Sequence, residues 1–157
     1  YQKSNGRFDV YTAGHETESL THSSIWCIVK DAQGTLWLGT YFGGVNYFNP
    51  EYEIYTRYKA SDTERDGLSS SIIGRMIEDK DGNLWICTEG GGVNVYYRKE
   101  GTFRWLRHEE GRNSISHNNV KAIYYDEKGE RMWFGTHLGG LNKLDLRTNR
   151  FTHSSGT

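Results

Sequence analysis

Proline occurs once in this chain, at Pro50, and cysteine twice, at Cys27 and Cys87. No apolar run approaches the roughly 18 to 20 residues that a membrane helix needs, and the longest dense stretch, Ile25 to Val29, has the length of a strand. Two thiols are too few for a disulfide framework, so Cys27 and Cys87 read as buried and unpaired. A surplus of positive charge is also missing. The formal net charge is −1, which leaves electrostatic capture of nucleic acid or of an anionic membrane without a basis in this segment. The chain starts at Tyr1 with neither an initiator Met nor a signal peptide, and is expected to be part of a longer protein. What it does hold is 19 glycines, five tryptophans and eleven tyrosines in 157 residues, a mixture that favours many short strands and tight turns.

The glycines and tryptophans are periodic. Leu36-Trp37-Leu38-Gly39-Thr40, Leu84-Trp85-Ile86-Cys87-Thr88 and Met132-Trp133-Phe134-Gly135-Thr136 stand at intervals of 48 residues. Gly43-Gly44-Val45-Asn46, Gly91-Gly92-Val93-Asn94 and Gly139-Gly140-Leu141-Asn142 keep that interval, and Asp31, Asp79 and Asp126 each close an apolar stretch upstream. The third copy gains one residue between Gly129 and Trp133. A further element recurs as Phe8-Asp-Val-Tyr11, Tyr55-Thr-Arg-Tyr58, Phe103-Arg-Trp-Leu106 and Phe151-Thr-His153.

Each unit reads as four strands without a helix. In the first these are Ile25 to Lys30, Leu36 to Thr40, Val45 to Phe48 and Ile54 to Tyr58, joined by Asp-x-x-Gly and Gly-Gly hairpin turns. In the second strand Leu36 and Leu38 occupy one face and Trp37 the other, so the sheet must be covered on both sides. Four strands per period in the forties is the signature of a β-propeller. The expected fold is all-β, a propeller fragment of three four-stranded antiparallel blades preceded by one strand of an earlier blade. The divisions fall at 1–15 for the leading strand and linker, 16–58 and 59–106 for the first two blades, and 107–157 for the third.

The tryptophans are followed by Thr or Gly-Thr, not Asp, which separates the repeat from WD40 blades. The pattern resembles the two-component regulator propeller repeat, and the copy from Ser70-Ser71-Ile72-Ile73 through Ile77-Glu78-Asp79-Lys80-Asp81-Gly82-Asn83-Leu84-Trp85-Ile86 shows it best. Cys87 in place of Gly, and Tyr124-Tyr125 in place of the Glu region, depart from it. The resemblance implies the periplasmic sensor region of an inner-membrane hybrid histidine kinase and response regulator, which signals through parts not present here and touches the membrane only through its parent chain. It further implies an oligosaccharide ligand. Because propellers close with about four to eight blades, three blades are expected to associate, either with other blades of a parent chain or with a second copy as a six-bladed homodimer.

Positions that recur across the units belong to architecture, whereas positions that differ at equivalent places can carry specificity. Trp37, Trp85 and Trp133 are assigned to packing between blades, and Thr40, Thr88, Thr136, Asn46, Asn94 and Asn142 to satisfying backbone groups near the Gly-Gly turns. After each threonine stand Tyr41, Glu89 and His137, then Phe42, Gly90 and Leu138. The first strands differ likewise at Trp26, Gly74 and Lys121, followed by Cys27, Arg75 and Ala122. Tyr41, Phe42, Glu89, His137, Trp26, Arg75 and Lys121 are therefore the ligand-binding candidates, able to stack on a sugar ring and bond its hydroxyls, with Arg75 and Lys121 open to an acidic sugar. The alternative is that they are solvated turn residues or are salt-bridged to Glu78 or Glu89. The long connections Ala60 to Ser69 and His108 to Asn119 are either binding loops or locally paired solvent loops.

Sharper motifs fail. Asp79-Lys-Asp81-Gly82-Asn83 begins like a calcium loop but has glycine at the fourth position and Gly90 at the twelfth, where a Glu is required. Gly90-Gly91-Gly92 lacks the Lys-Ser/Thr of a phosphate loop, and the six histidines show no zinc spacing. No catalytic residue, metal or cofactor is assigned. Three functions stay open: a ligand-sensing module, a protein–protein or dimerisation scaffold, and a metal-dependent lyase-type propeller enzyme using Glu89 and His137 as acid and base.

Overall fold

In a computed structural model of the chain, residues 5–15, 19–49 and 54–154 are described. Glycine at the turns and apolar or β-branched residues between them produce, among the described residues, twelve strands and no helix. The first blade comprises β1 (Ile25–Lys30), β2 (Leu36–Thr40), β3 (Val45–Asn49) and β4 (Ile54–Tyr58). The second holds β5 (Ile73–Glu78), β6 (Leu84–Thr88), β7 (Val93–Tyr97) and β8 (Thr102–Leu106), and the third β9 (Val120–Asp126), β10 (Arg131–Thr136), β11 (Gly140–Asp145) and β12 (Arg150–Ser154). Every sheet is an antiparallel meander in chain order. The inner strands β1, β5 and β9 lie side by side, which makes the three sheets consecutive propeller blades.

The hairpins form for the reasons the repeat suggests. Asp31 accepts the backbone N–H groups of Gln33 and Thr35 and the Trp37 Nε1–H at 3.0 Å, and Asp79 repeats this with Asp81, Asn83 and Trp85. The calcium-like run is thus a hairpin turn. In the third blade the inserted residue moves the turn, and Asp126 accepts from Gly129 instead. Thr40, Thr88 and Thr136 donate to Gly44, Gly92 and Gly140. A Cβ on Gly44 or Gly92 would lie 2.2 Å from the carbonyl oxygen of Tyr58 or Leu106, and both residues have positive φ, so no other residue fits.

Linkers between blades are pinned by the blade they enter. Asn46, Asn94 and Asn142, all fully buried, accept the N–H of Thr21, Ser69 and Ser116 and donate to the same residues' hydroxyls. A second fastening uses three different side chains at one equivalent position. Arg57 donates to the carbonyl of Ser19, Trp105 Nε1 to that of Gly67 and His153 Nε2 to that of Ser114. The long connections are occupied in the same way. Asn113 pairs reciprocally with the backbone of Phe151, Glu64 accepts the Trp105 N–H, and Arg112 pairs with Glu109.

The core lies between blades. The Trp37 face of the first blade, with Cys27 and Val45, packs on Ile73, Met76, Leu84 and Ile86 of the second. The Trp85 face of the second, with Cys87, Val93 and Val95, packs on Met132, Phe134, Leu144 and Phe151 of the third. Tryptophan thus looks toward the following blade, as inter-blade packing requires. On the outward face of the third blade, Trp133 is half-buried, with Tyr124 66% and Leu141 44% exposed beside it. On that of the first, Ile28 is 62% exposed although its counterpart Met76 is buried.

Both cysteines are buried free thiols, and burial pushes each above the usual thiol range. Cys87 stands where the other blades have glycine. A Cβ on Gly39 would meet Ile73 Cγ2 at 2.7 Å, whereas the residue equivalent to Ile73 on the next blade is the smaller Val120, buried in one cluster with Cys87. The leading segment departs from expectation. Residues 8–11 form no strand, because an outer strand pairs with the third strand of its own blade, as β4 does with β3, and no such partner precedes them here. Instead the Tyr11 ring packs 5.4 Å from Phe48, leaving Phe8 and Val10 exposed. Residues 16 and 157, proposed as blade limits, lie outside the described residues.

Candidate functional site

The residues that differ between blades converge at one end of the inner strands. Each inner strand carries a β-bulge at its start: between Ile25 and Cys27, between Ile73 and Met76, and opposite Gly135–Thr136 where Val120 gives way to Ala122. The extra residues are Trp26, the Gly74-Arg75 pair and Lys121. A bulge breaks the inward–outward alternation and re-aims the side chain it contains, a device recurrent beside functional sites. Here it lets a strand whose regular positions pack between blades present one residue to a shared space.

That space is a cavity of about 360 Å³ bordered by Trp26, Arg75, Glu89 and Lys121, with Ile72, Ile73 and Val120 as its apolar floor. The volume suits a small ligand. Its aromatic lining is Trp26 of the first blade, which is backed by Tyr41 stacked with centroids 4.7 Å apart at 25°, and Phe42 meets Tyr41 edge-on at 4.7 Å. His22 adds a second edge contact to Tyr41 at 6.2 Å. The charged wall belongs to the other two. Lys121 Nζ reaches Glu89 Oε2 at 2.9 Å across the blade boundary, and Arg75 is exposed without an ion pair among the described residues.

The structure therefore joins the turn candidates to the strand candidates: Tyr41 with Trp26, and Glu89 with Lys121. The alternative reading, that Arg75 and Lys121 are salt-bridged to Glu78 or Glu89, is met for Lys121, which pairs with Glu89, whereas Glu78 faces Arg98 at the opposite end of the blade. His137 is exposed and does not border the cavity; its backbone N–H is held by Asn119. Glu89 and His137 are thus not assembled around one cavity as an acid and a base, and among the described residues no three His, Cys, Asp or Glu side chains are grouped to hold a metal.

Phe42 and Leu138 take positive φ, 74° and 66°, where Gly90 stands in the second blade, and they are 60% and 89% exposed. A large side chain held in that region costs on the order of 1 kcal/mol, and such strain concentrates at functional sites. Neither residue lines the cavity, and Phe42 connects to it only through its edge contact with Tyr41. Sequence reasoning missed His22, although its place before the first strand, shared with Ser70 and His117, was a signal, and it missed the bulges, for which no residue type is diagnostic.

The fold defines a class: consecutive propeller blades, here with a cavity at one end of their inner strands. The two-component regulator propeller model matches residues 19–42, 67–90 and 114–137, so each blade carries one copy of that repeat. Each match begins at the linker carbonyl held by Arg57, Trp105 or His153. Among solved structures, the chain is similar to an extracellular domain described as that of a hybrid two component system, BT3049, of B. thetaiotaomicron, with 25% identity over 84% of this chain and a TM-score of 0.75. It is similar in fold to the corresponding domain of BT4673 from the same organism, with 24% identity over 91% and a TM-score of 0.73. It is also similar in fold to U3-55K, at 13% identity over 92% of this chain and 41% of that one, with a TM-score of 0.61. The chain spans 18% and 20% of the two bacterial domains. A search of curated proteins returns no match. The blades are thus of the kind found in the extracellular regions of hybrid two-component systems.

Proposed function

We propose that this segment is a ligand-binding part of the extracytoplasmic sensor of a hybrid two-component system, and that its ligand is an oligosaccharide held in the cavity bounded by Trp26, Arg75, Glu89 and Lys121. The observation that carries this reading is the bulge repeated in all three inner strands, which turns the divergent side chains into one cavity. An exposed aromatic stack suits the apolar face of a sugar ring, and the charged wall suits its hydroxyls. The segment acts by binding rather than by catalysis, and a parent chain anchored in the inner membrane, with a periplasmic sensor and a histidine kinase, would carry the signal. Calorimetric titration with a panel of neutral and acidic oligosaccharides tests it. Saturable binding by at least one, lost in Trp26→Ala with the melting temperature unchanged, supports the site; no binding by any removes it.

A second reading rests on the blade faces. The open face of the first blade holds an apolar groove of about 250 Å³ lined by Ile28, Leu36, Leu38 and Phe48, which are the positions that bury against a preceding blade elsewhere in the chain. Two copies joined by such faces make six blades. Light scattering after size exclusion distinguishes a dimer of this kind from a monomer.

A further inference from the structure

We propose that the cavity is selective for a ligand bearing an anionic group, a carboxylate or a sulfate ester, and that Glu89 tunes this selectivity by masking Lys121. The inference rests on the oligosaccharide reading and deepens it. The cavity wall holds two cations, Arg75 and Lys121, and one carboxylate, Glu89. Lys121 is committed to Glu89 at 2.9 Å, while Arg75 has no carboxylate partner among the described residues. One positive charge is therefore left over at the cavity, on a planar fork whose parallel N–H groups match the two oxygens of a carboxylate or sulfate. Its surroundings accentuate the charge. Ile72, Ile73 and Val120 line the floor, and an apolar wall strengthens a charge–charge contact relative to open water.

The geometry divides the ligand between blades. A sugar ring stacked on Trp26 of β1 directs its substituent toward the second and third blades, where Arg75 lies in the bulge of β5 and Lys121 occupies that of β9. An anion arriving there meets Arg75 first and competes with Glu89 for Lys121. A neutral hydroxyl gains much less from Arg75, and a cationic ligand is repelled by it.

The test is isothermal titration of the chain and its Arg75→Gln and Glu89→Gln variants with trigalacturonic acid, galactose 6-sulfate and the neutral galactotriose, at low and physiological salt. Both substituted side chains are exposed or half-exposed, so the variants keep the fold, which melting curves check. The expected result is that one anionic probe binds at least about tenfold more tightly than galactotriose, with the preference shrinking as salt rises. Arg75→Gln then abolishes the preference by weakening the anionic probe far more than galactotriose, and Glu89→Gln strengthens anion binding several-fold by releasing Lys121. Preference for the acid identifies a carboxylate ligand, and preference for galactose 6-sulfate a sulfate ester. Equal binding of neutral and anionic probes, or a preference unaffected by Arg75→Gln, overturns the inference while leaving an oligosaccharide site in place. Absence of saturable binding by every probe overturns both.

Discussion

The two boundaries between blades are built from the same repeat and yet held differently. Between the second and third blades the contact is an apolar core, with Phe134, Met132 and Leu144 buried against Trp85, Val93 and Val95, and the ion pair across it at the end away from the cavity, Lys80 to Glu130 at 3.0 Å, is exposed. Between the first and second blades an aromatic group replaces part of that core. Trp37 is flanked by Tyr47, Tyr58 and Tyr96 at 4.4, 5.7 and 5.5 Å, and the Tyr58 and Tyr96 hydroxyls meet at 3.2 Å. Arg98 crosses the boundary to the buried Asp31 at 3.0 Å, approaches Glu78 at 3.6 Å and lies over the Trp37 ring. The residue equivalent to Arg98 in the third blade is Leu146, itself packed against the apolar core. The repeat thus specifies that blades bury Trp, and leaves open whether the rim is closed by charge or by hydrocarbon.

The largest expected effect lies at the apolar boundary. Phe134→Ala removes a fully buried ring and is expected to cost about 3–5 kcal/mol in denaturant unfolding; a loss under about 1 kcal/mol would mean the second and third blades are not packed as described. Next comes Arg98→Met at the polar boundary. It leaves Asp31 with the Trp37 and backbone donors but no counter-charge, and a loss of about 2 kcal/mol is expected, smaller than for a wholly abandoned buried charge because those donors remain.

This boundary should also respond to acid. Burial pushes the Asp31 carboxyl up, but the hydrogen bonds from Trp37 and Arg98 together outweigh it and hold the group below its ordinary value of 3.8. A carboxyl lowered on folding contributes stability that is complete above its unfolded value and is lost as pH falls through the folded one. Melting temperatures followed downward from about pH 5 should therefore fall more steeply in the native chain than in Arg98→Met. Parallel curves would show that Arg98 does not govern Asp31. The smallest effect is expected at the open trailing face, where Trp133→Ala should cost about 1 kcal/mol or less although the same residue is buried in the other blades. A loss as large as that of Phe134→Ala, together with a dimer in solution, would instead reveal this face as occupied.

Much of the architecture was legible because the repeat states it three times. Asp, Trp and Gly-Gly at fixed intervals mark turns whose hydrogen bonds the structure displays, and the strands of the first blade agree with the reading to one residue, β3 continuing to Asn49. The candidate positions were legible as divergences between copies, yet their grouping was not. A bulge is a matter of register between two strands and leaves no signature in residue type, so nothing in the chain separated Trp26, which reaches the cavity, from His137, which does not. The fastening by Arg57, Trp105 and His153 was hidden for the opposite reason. Three side chains with nothing in common except an N–H donor serve one carbonyl position, and a comparison by residue identity reads them as variation.

If one cavity spans the three blades and holds an anionic sugar between Trp26 and Arg75, a crystal structure of the chain grown with trigalacturonic acid will show it. The expected density is a ring stacked on Trp26 with a carboxylate within hydrogen-bonding distance of Arg75, and the Lys121 to Glu89 contact lengthened or shared. A sugar bound elsewhere on the blades, with Trp26 and Arg75 both free of it, would rule this site out.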